Sequence, residues 1–455
     1  MISERQYSQA VAKAVRVVIL GGLGGVGRNC MAIEHDDRIL LIDCGQMFPG
    51  GGGEITKVYL PDFTWLRQNR ERLEGIVLTH GHEDHLGAIP YLLREMSLTV
   101  YGSEFTLALL KNKVTNANVG QRATLVKVSD GERRRIGPFD VEFIPVTHSM
   151  PQTFAVALHT PQGVVLHSGD FKIDLSPVDE RRTDLARLGS LASNEGIRLL
   201  MLDSTNAEEP GYSQSESHIG KTLRSMFVEH RRQRITVTAF ASHIHRIQQI
   251  ADAAVGEGRL VVPLGRTMMN NIRLARNMGL LSISEQDLGE QEAIEDCRPD
   301  EICIIATGSQ GESQSVLAQL SRGSDRWFKV GPEDTIIYSS DTIPGNESSV
   351  NEVVEGLLRQ GVKIVHNGIA DVHATGHAQE GELRTYISLT EPEYLLPIHG
   401  EYRMLHANAR NAMAMGVPEH KVLLSRDGDI LEISDEGIVR VGEVPSQMVS
   451  IRVGG

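Results

Sequence analysis

From Val15 onward the chain alternates short apolar runs with polar turns. VRVVIL (15–20), CMAIEH (30–35) and RILLIDCG (38–45) predict three strands, joined by a glycine turn and by a turn at Asp36-Asp37. Residues 1–14 read as a polar start and Gly50 to Gly53 as a flexible loop. Residues 75–79 read as a short strand, and Ala88 to Arg94 as a helix. Further strands are expected at 98–102, 124–128, 140–146, 154–159, 163–168 and 198–202. Many short strands with few long helices predict two packed sheets with helices outside.

The texture changes after about residue 206. ITVTAF (235–240), a helical stretch from His243 to Ala254, LVVPLG (260–265), EICIIATG (301–308) and DTIIYSS (334–340) alternate as a parallel α/β unit does. KIVHN from Lys363 and EYLLPIHG (393–400) are further strands, and each leads to histidine. No internal repeat, low-complexity tail or heptad pattern interrupts this layout.

At 455 residues, two domains or one domain with a large insertion is the prior. Hydrophobic content of 40% and charged content of 23% fit a soluble globular protein, and no apolar run is long enough to span a membrane. Cys30, Cys44, Cys297 and Cys303 form no CxxC pair and read as reduced thiols of a cytoplasmic protein. The net charge of −14 opposes indiscriminate coating of nucleic acid but leaves room for a local basic groove. Arg133, Arg134 and Arg135, like Arg231, Arg232 and Arg234, read first as solvated faces and second as polyanion contacts.

The candidate chemistry centres on THGHEDHLG (79–87), where His80, His82, Asp84 and His85 place four metal-competent side chains within six residues. His80 and His82, two apart, project to one side of an extended chain and can share an ion, while Asp84 and His85 can reach a second. Two metal shells need more ligands. His148, Asp170 and His399 each lie just after an apolar run that can aim a side chain into a shared cleft. The expected arrangement puts His80, His82 and His148 on one ion and Asp84, His85 and His399 on the other, with Asp170 bridging. These donors suit zinc and also accept manganese or magnesium. Two close cations can activate a bridging water and offset charge on a phosphoryl oxygen. Asp43, ending RILLID, is the expected orienting partner of a ligand histidine. Asp203 ends an apolar run, and VHATGHA gathers His373, Thr375 and His377 around Gly376, a donor set suited to an oxyanion. His377 is expected to protonate a leaving oxygen, with Asp203 fixing its orientation. Gly22, Gly24 and Gly27 satisfy GxGxxG but precede a strand, so a tight hairpin turn, rather than a dinucleotide site, is expected.

The string HxHxDH is the binuclear signature of the metallo-β-lactamase fold, and the whole chain resembles the ribonuclease J family, its bacterial β-CASP branch. The resemblance runs through GGLGGVGRN (21–29), LIDCG, LTHGHEDHLGAIPYLL, VTHSMPQT, HSGDFKID, DSTNAEEPG, FASHIHRIQQ, ATGSQGE, DTIPGNE, HATGHA and PIHGEYRML, in order. It implies an α/β protein: an αββα sandwich of residues 1–206 and 366–455, with a β-CASP domain of residues 207–365 inserted. It implies hydrolysis of RNA phosphodiesters, 5′-to-3′ from 5′-monophosphate ends and also internally. Metal ligands would be His80, His82, Asp84, His85, His148, Asp170 and His399. Asp203, His377 and Asp84 would serve catalysis, and Ser242, His243, Ser309, Gln310, His373 and Thr375 would contact RNA. A homodimer or higher oligomer and a place in an RNA-degradation complex are implied as well. Relatives usually carry Glu where Gly25 stands and commonly Ser where Thr375 stands. The sequence reaches Gly455 about where the family's small C-terminal domain would begin, so most or all of that domain is expected to be missing. The rival readings are a DNA-processing β-CASP nuclease, a small-molecule metallo-hydrolase and an RNA-binding scaffold that has lost catalysis, the last opposed by the complete ligand set.

Overall fold

The computed structural model describes residues 14–48, 57–342 and 346–452. Residues 1–13 of the polar start and the expected Gly50–Gly53 loop lie outside them. Eight strands form one sheet, in the order Gly437–Glu443, Asp429–Ser434, Val15–Gly21, Cys30–His35, Arg38–Ile42, Leu73–Val77, Leu98–Gly102 and Ala123–Lys127. Six form a second, in the order Tyr394–Ile398, Ile197–Asp203, Gly163–His167, Thr153–Thr160, Phe139–Val146 and Arg133–Ile136. Apolar runs are near continuous in the central strands because both faces are covered. In Val15–Gly21, residues Val17 and Ile19 face the core shared with Phe143, Val156 and Leu199, whereas Val18 and Leu20 pack outward with Leu92 and Leu110. The second sheet buries its outer face, Ile144 and Val146 among others, with Leu188, Leu383 and Ile387. The helices bearing these residues, Leu185–Asn194 and Glu380–Thr390, complete an αββα stack.

Between these two stretches of chain lies a five-stranded, wholly parallel sheet in the order Leu260–Leu264, Ile302–Ala306, Arg234–Thr238, Asp334–Tyr338 and Lys363–Val365. Its faces have their own cores, one including Ile219, Leu223, Phe227, Ile247 and Ile250, the other Leu317, Leu320, Val353 and Leu357. The chain then returns, and Tyr394–Ile398 joins the second sheet parallel to Ile197–Asp203. Helices are more numerous than the pattern predicts. Glu104–Asn116 carries Phe105 in the core beneath the parallel sheet and Leu107, Leu110 and Val114 in the core outside the first sheet. Its apolar residues therefore spread around the helix and lack a one-sided period. The expected helix at Ala88 to Arg94 is there but short, the single turn Ile89–Leu92, and another single turn, Glu83–Leu86, precedes it. Gly87 separates them against Gln46, whose Cγ would stand 2.4 Å from a Cβ at that position.

A buried ionic cluster ties the parallel sheet to the sandwich. Arg246, fully buried, donates to Glu216 Oε2 at 2.7 Å and to Val372 O at 3.0 Å. Lys172 Nζ, equally buried, lies 3.6 Å from Asp174 Oδ2 and 3.8 Å from Glu216 Oε1. Removing one partner of such a cluster strands a charge in a dry interior, which costs far more than the intact pair gains. Arg246→Ala is expected to lower unfolding stability by about 3–5 kcal/mol, measured by chemical denaturation. A change too small to measure would mean that the cluster does not hold the two units together.

Candidate metal centre and cleft

The site residues lie where strands end. Asp43 follows Arg38–Ile42, His80 follows Leu73–Val77, and His148 follows Phe139–Val146. Asp170 follows Gly163–His167, Asp203 ends Ile197–Asp203, and His399 follows Tyr394–Ile398. All but Asp43 converge, with His82, Asp84, His85 and His377, into three overlapping clusters whose nitrogen and oxygen atoms lie within 4.8 Å of one another. The first holds His80, His82, His148 and Asp170; the second Asp84, His85, Asp170 and His399; the third Asp170, Asp203, His377 and His399. Asp170 belongs to all three. Its Oδ2 stands 3.2 Å from His85 Nε2, 3.6 Å from His80 Nε2 and 3.8 Å from His148 Nε2, and its Oδ1 3.3 Å from His399 Nδ1. Asp84 Oδ2 lies 3.5 Å from His85 Nε2 and 3.2 Å from His399 Nε2.

Hydrogen bonds on the far side of three of the rings turn the other nitrogen inward. His85 Nδ1 donates to Asp43 Oδ2 at 2.8 Å, and His148 Nδ1 donates to Gly376 O at 2.7 Å. Thr79 Oγ1 donates to Asp43 Oδ2 at 2.8 Å and can therefore accept from His80 Nδ1 at 3.0 Å. Asp43 thus orients two imidazoles, one of them through a threonine. Asp43 and His399 adopt φ of 60° and 52°, a left-handed conformation costing roughly 1–3 kcal/mol where a non-glycine residue holds it. Gly45 lets the histidine string close over this floor, since a Cβ there would stand 1.6 Å from Asp84 O.

Electrostatics suit this donor set to cations. Burial pushes His82 down to about 4, and His80 and His148 well below the usual imidazole range, so these rings are neutral and offer lone pairs. His82 Nδ1 faces His80 Nε2 at 2.9 Å and His148 Nε2 at 3.2 Å. Three imidazoles turning nitrogens to one point is the arrangement a divalent ion relieves. Burial also acts against a charged His399, but Asp170, Asp203 and Asp84 outweigh it and raise that ring to about 10. Burial lowers and Asp203 raises His377, with a net upward shift, and its Nδ1 donates to Asp203 Oδ2 at 2.8 Å.

The clusters open into a cleft of about 2250 Å³ between the sandwich and the parallel sheet. Ser242, His243, Ser309, Gln310, His373 and Thr375 all line it. His243 caps helix Ile244–Gly256 by accepting from the Arg246 amide, and Gln310 donates to Asp341 O at 2.8 Å. Thr375 accepts from Asn206 Nδ2 at 2.8 Å and from the His377 amide at 3.2 Å. Thr205 escapes the sequence reading, yet its hydroxyl lies 3.0 Å from both Asp203 Oδ1 and His399 Nδ1. The available signal was a hydroxyl two residues after a strand-ending aspartate. None of the six arginines in the two expected basic runs lines the cleft. Arg133 pairs with Asp140, Arg134 with Glu132 and Arg234 with Asp334. The cationic side chains that line it are Lys113, Arg266, Arg322, Arg359 and Arg403. The four cysteines are free thiols, only Cys297 incompletely buried. Among the described residues, no helix is long and apolar enough to cross a membrane.

An αββα sandwich with clustered histidines and aspartates at its strand ends, and a parallel domain facing them, defines a β-CASP metallo-hydrolase. Residues 23–205 match the metallo-β-lactamase superfamily, 232–357 the ribonuclease J β-CASP domain, and 361–422 the Zn-dependent metallo-hydrolase RNA specificity domain. Ribonuclease J of Mycobacterium tuberculosis is 42% identical over 94% of this chain and 77% of its own length; that of Synechocystis is 38% identical over 95% and 68%. The chain belongs to the ribonuclease J family of metal-dependent ribonucleases. A crystal structure of a protein of unknown function from Enterococcus faecalis shares the fold, with a TM-score of 0.65 at 14% identity, covering 92% of this chain and 100% of that one.

Asp43→Asn is expected to weaken divalent-ion binding by about 10–100-fold, because two ring orientations lose their anchor. Titration of the metal-free protein checks this, and unchanged affinity would remove Asp43 from the site.

Proposed function

We propose that the chain hydrolyses RNA phosphodiesters as a two-metal nuclease. The reading has it working 5′-to-3′ from 5′-monophosphate ends and also internally, in RNA maturation and decay. The observation that carries the reading is the size and asymmetry of the cleft, about 2250 Å³, with ligand clusters on one side and hydroxyls, amides and arginines on the other. A β-lactam-sized substrate needs neither that volume nor that second wall. His80, His82 and His148 would hold one ion, and Asp84, His85 and His399 the other, with Asp170 between them. Zinc is the favoured ion on the imidazole and carboxylate donors, with manganese and magnesium as alternatives. Such ions, when bound, supply an acidified water and offset charge on the phosphoryl oxygens.

The protein's own residues do the rest. His377 carries a proton because Asp203 holds its Nδ1 side, and it delivers that proton to the leaving 3′-oxygen. Products then carry 5′-phosphate and 3′-hydroxyl ends. Ser242, His243, Ser309, Gln310, His373 and Thr375 are assigned to the sugar-phosphate backbone. The domain division at 206 and 365, a homodimer or higher oligomer, a cytoplasmic setting and membership of a degradation complex belong to the same reading. A DNA-processing nuclease is the alternative on similar residues, so matched RNA and DNA are compared directly.

With zinc or manganese, the protein is expected to degrade 5′-monophosphorylated RNA in preference to matched DNA and to leave a β-lactam intact. His80→Ala or Asp84→Ala should abolish the activity. His377→Ala should lower kcat by about 10²–10⁴-fold with ion content unchanged. Retained nuclease activity in both ligand variants would defeat the two-metal assignment.

A further inference from the structure

The glycines that imitate a dinucleotide fingerprint have another use. They do not form a tight turn: Gly22 to Asn29 is an eight-residue loop joining strands Val15–Gly21 and Cys30–His35. The loop reaches across to the segment carrying His399, and the Gly24 amide donates to Gly400 O at 3.0 Å. Gly24, at φ 81°, is bare for a reason. A Cβ there would stand 2.8 Å from Tyr402 Cε2 and 3.3 Å from Tyr402 Oη. Gly27 receives Met47 in the same way, with a Cβ only 3.0 Å from Met47 Cβ. The loop is therefore a bare-backbone seat for a phenol and a thioether beside a metal-ligand segment.

What sits on it faces the cleft. Tyr402 is 51% exposed and Phe48 57%, and Gly24, Met47, Phe48 and Tyr402 all line the same cavity as His82, Asp84 and His399. Open aromatic surface in a catalytic cleft is costly to hydrate unless a ligand covers it. A phosphate gains nothing from such a surface, whereas the face of a nucleobase does. The same cleft also presents Ser242, Ser309, Gln310 and Arg266, polar groups that suit the sugar-phosphate backbone.

We propose that Tyr402, seated on Gly24, is a stacking platform for one nucleobase of the RNA beside the ion-binding clusters. The assignment rests on the ribonuclease reading above. Because every base offers a π-face, such a platform fixes the strand without selecting sequence.

The test is steady-state cleavage of a 5′-monophosphorylated RNA, intact or with an abasic nucleotide walked along it from the 5′ end. Wild type, Tyr402→Ala and Tyr402→Phe are compared. Tyr402→Ala should raise KM about tenfold on intact RNA with kcat unchanged, as loss of one stacked base does, and Tyr402→Phe should behave as wild type. At one position the abasic substitution should raise the wild-type KM by the same factor and add nothing in Tyr402→Ala. If Tyr402→Ala matches wild type, or if abasic penalties are equal in both proteins at every position, the platform is overturned while RNA cleavage stands. If wild type fails to cleave RNA, the ribonuclease reading falls and takes the platform with it.

Discussion

The structure depends on the position of one carboxylate. Asp170 is buried and shared by three clusters that together hold six histidines and three aspartates. Without cations, so many lone pairs and charges in a dry pocket would repel one another or take up protons. The surrounding architecture serves to force that convergence. Separate strands end at the same edge, Asp43 and His399 take left-handed backbone, and Gly45 admits the Asp84 carbonyl. His399 enters two of the clusters from its left-handed position, and Asp43 from its own holds His85 and Thr79 from behind.

A second constraint acts between the units. Lys172 lies two residues past Asp170 and reaches Glu216, which in turn holds Arg246 from the helix capped by His243. The segment bearing Asp170 and the polar wall of the cleft are thereby joined through buried charge rather than through apolar contact alone. Arg246 also donates to Val372 O, next to His373. The start of the VHATGHA segment is thus anchored by the same buried charges that join the two units. This gives a physical reason for burying Lys172, Glu216 and Arg246 despite the desolvation they incur.

Much of this was legible in the sequence, for identifiable reasons. Apolar runs located the strands because central strands are covered on both faces, and those strands ended in the clustered histidines and aspartates because their ends meet at one edge. The grouping expected from THGHEDHLG and the downstream residues coincides with the first two clusters in the fold. Three things were not legible. Helix Glu104–Asn116 serves two cores at once and so shows no single apolar face. Thr205 works through its neighbours Asp203 and His399, the second of them 194 positions away in the chain. The Gly22–Asn29 loop has a pattern that speaks of nucleotides, whereas its role emerges only when Tyr402 and Met47 are seen resting on it.

The central claim, that Asp170 gathers two ion-binding shells in one buried pocket, is tested most directly by counting bound divalent ions per chain. Native mass spectrometry of the zinc-loaded protein and of Asp170→Asn provides that count. The account predicts two ions on the wild-type chain and fewer on the variant, with the fold retained by circular dichroism. A single ion on the wild-type chain, or two ions on both proteins, would contradict it.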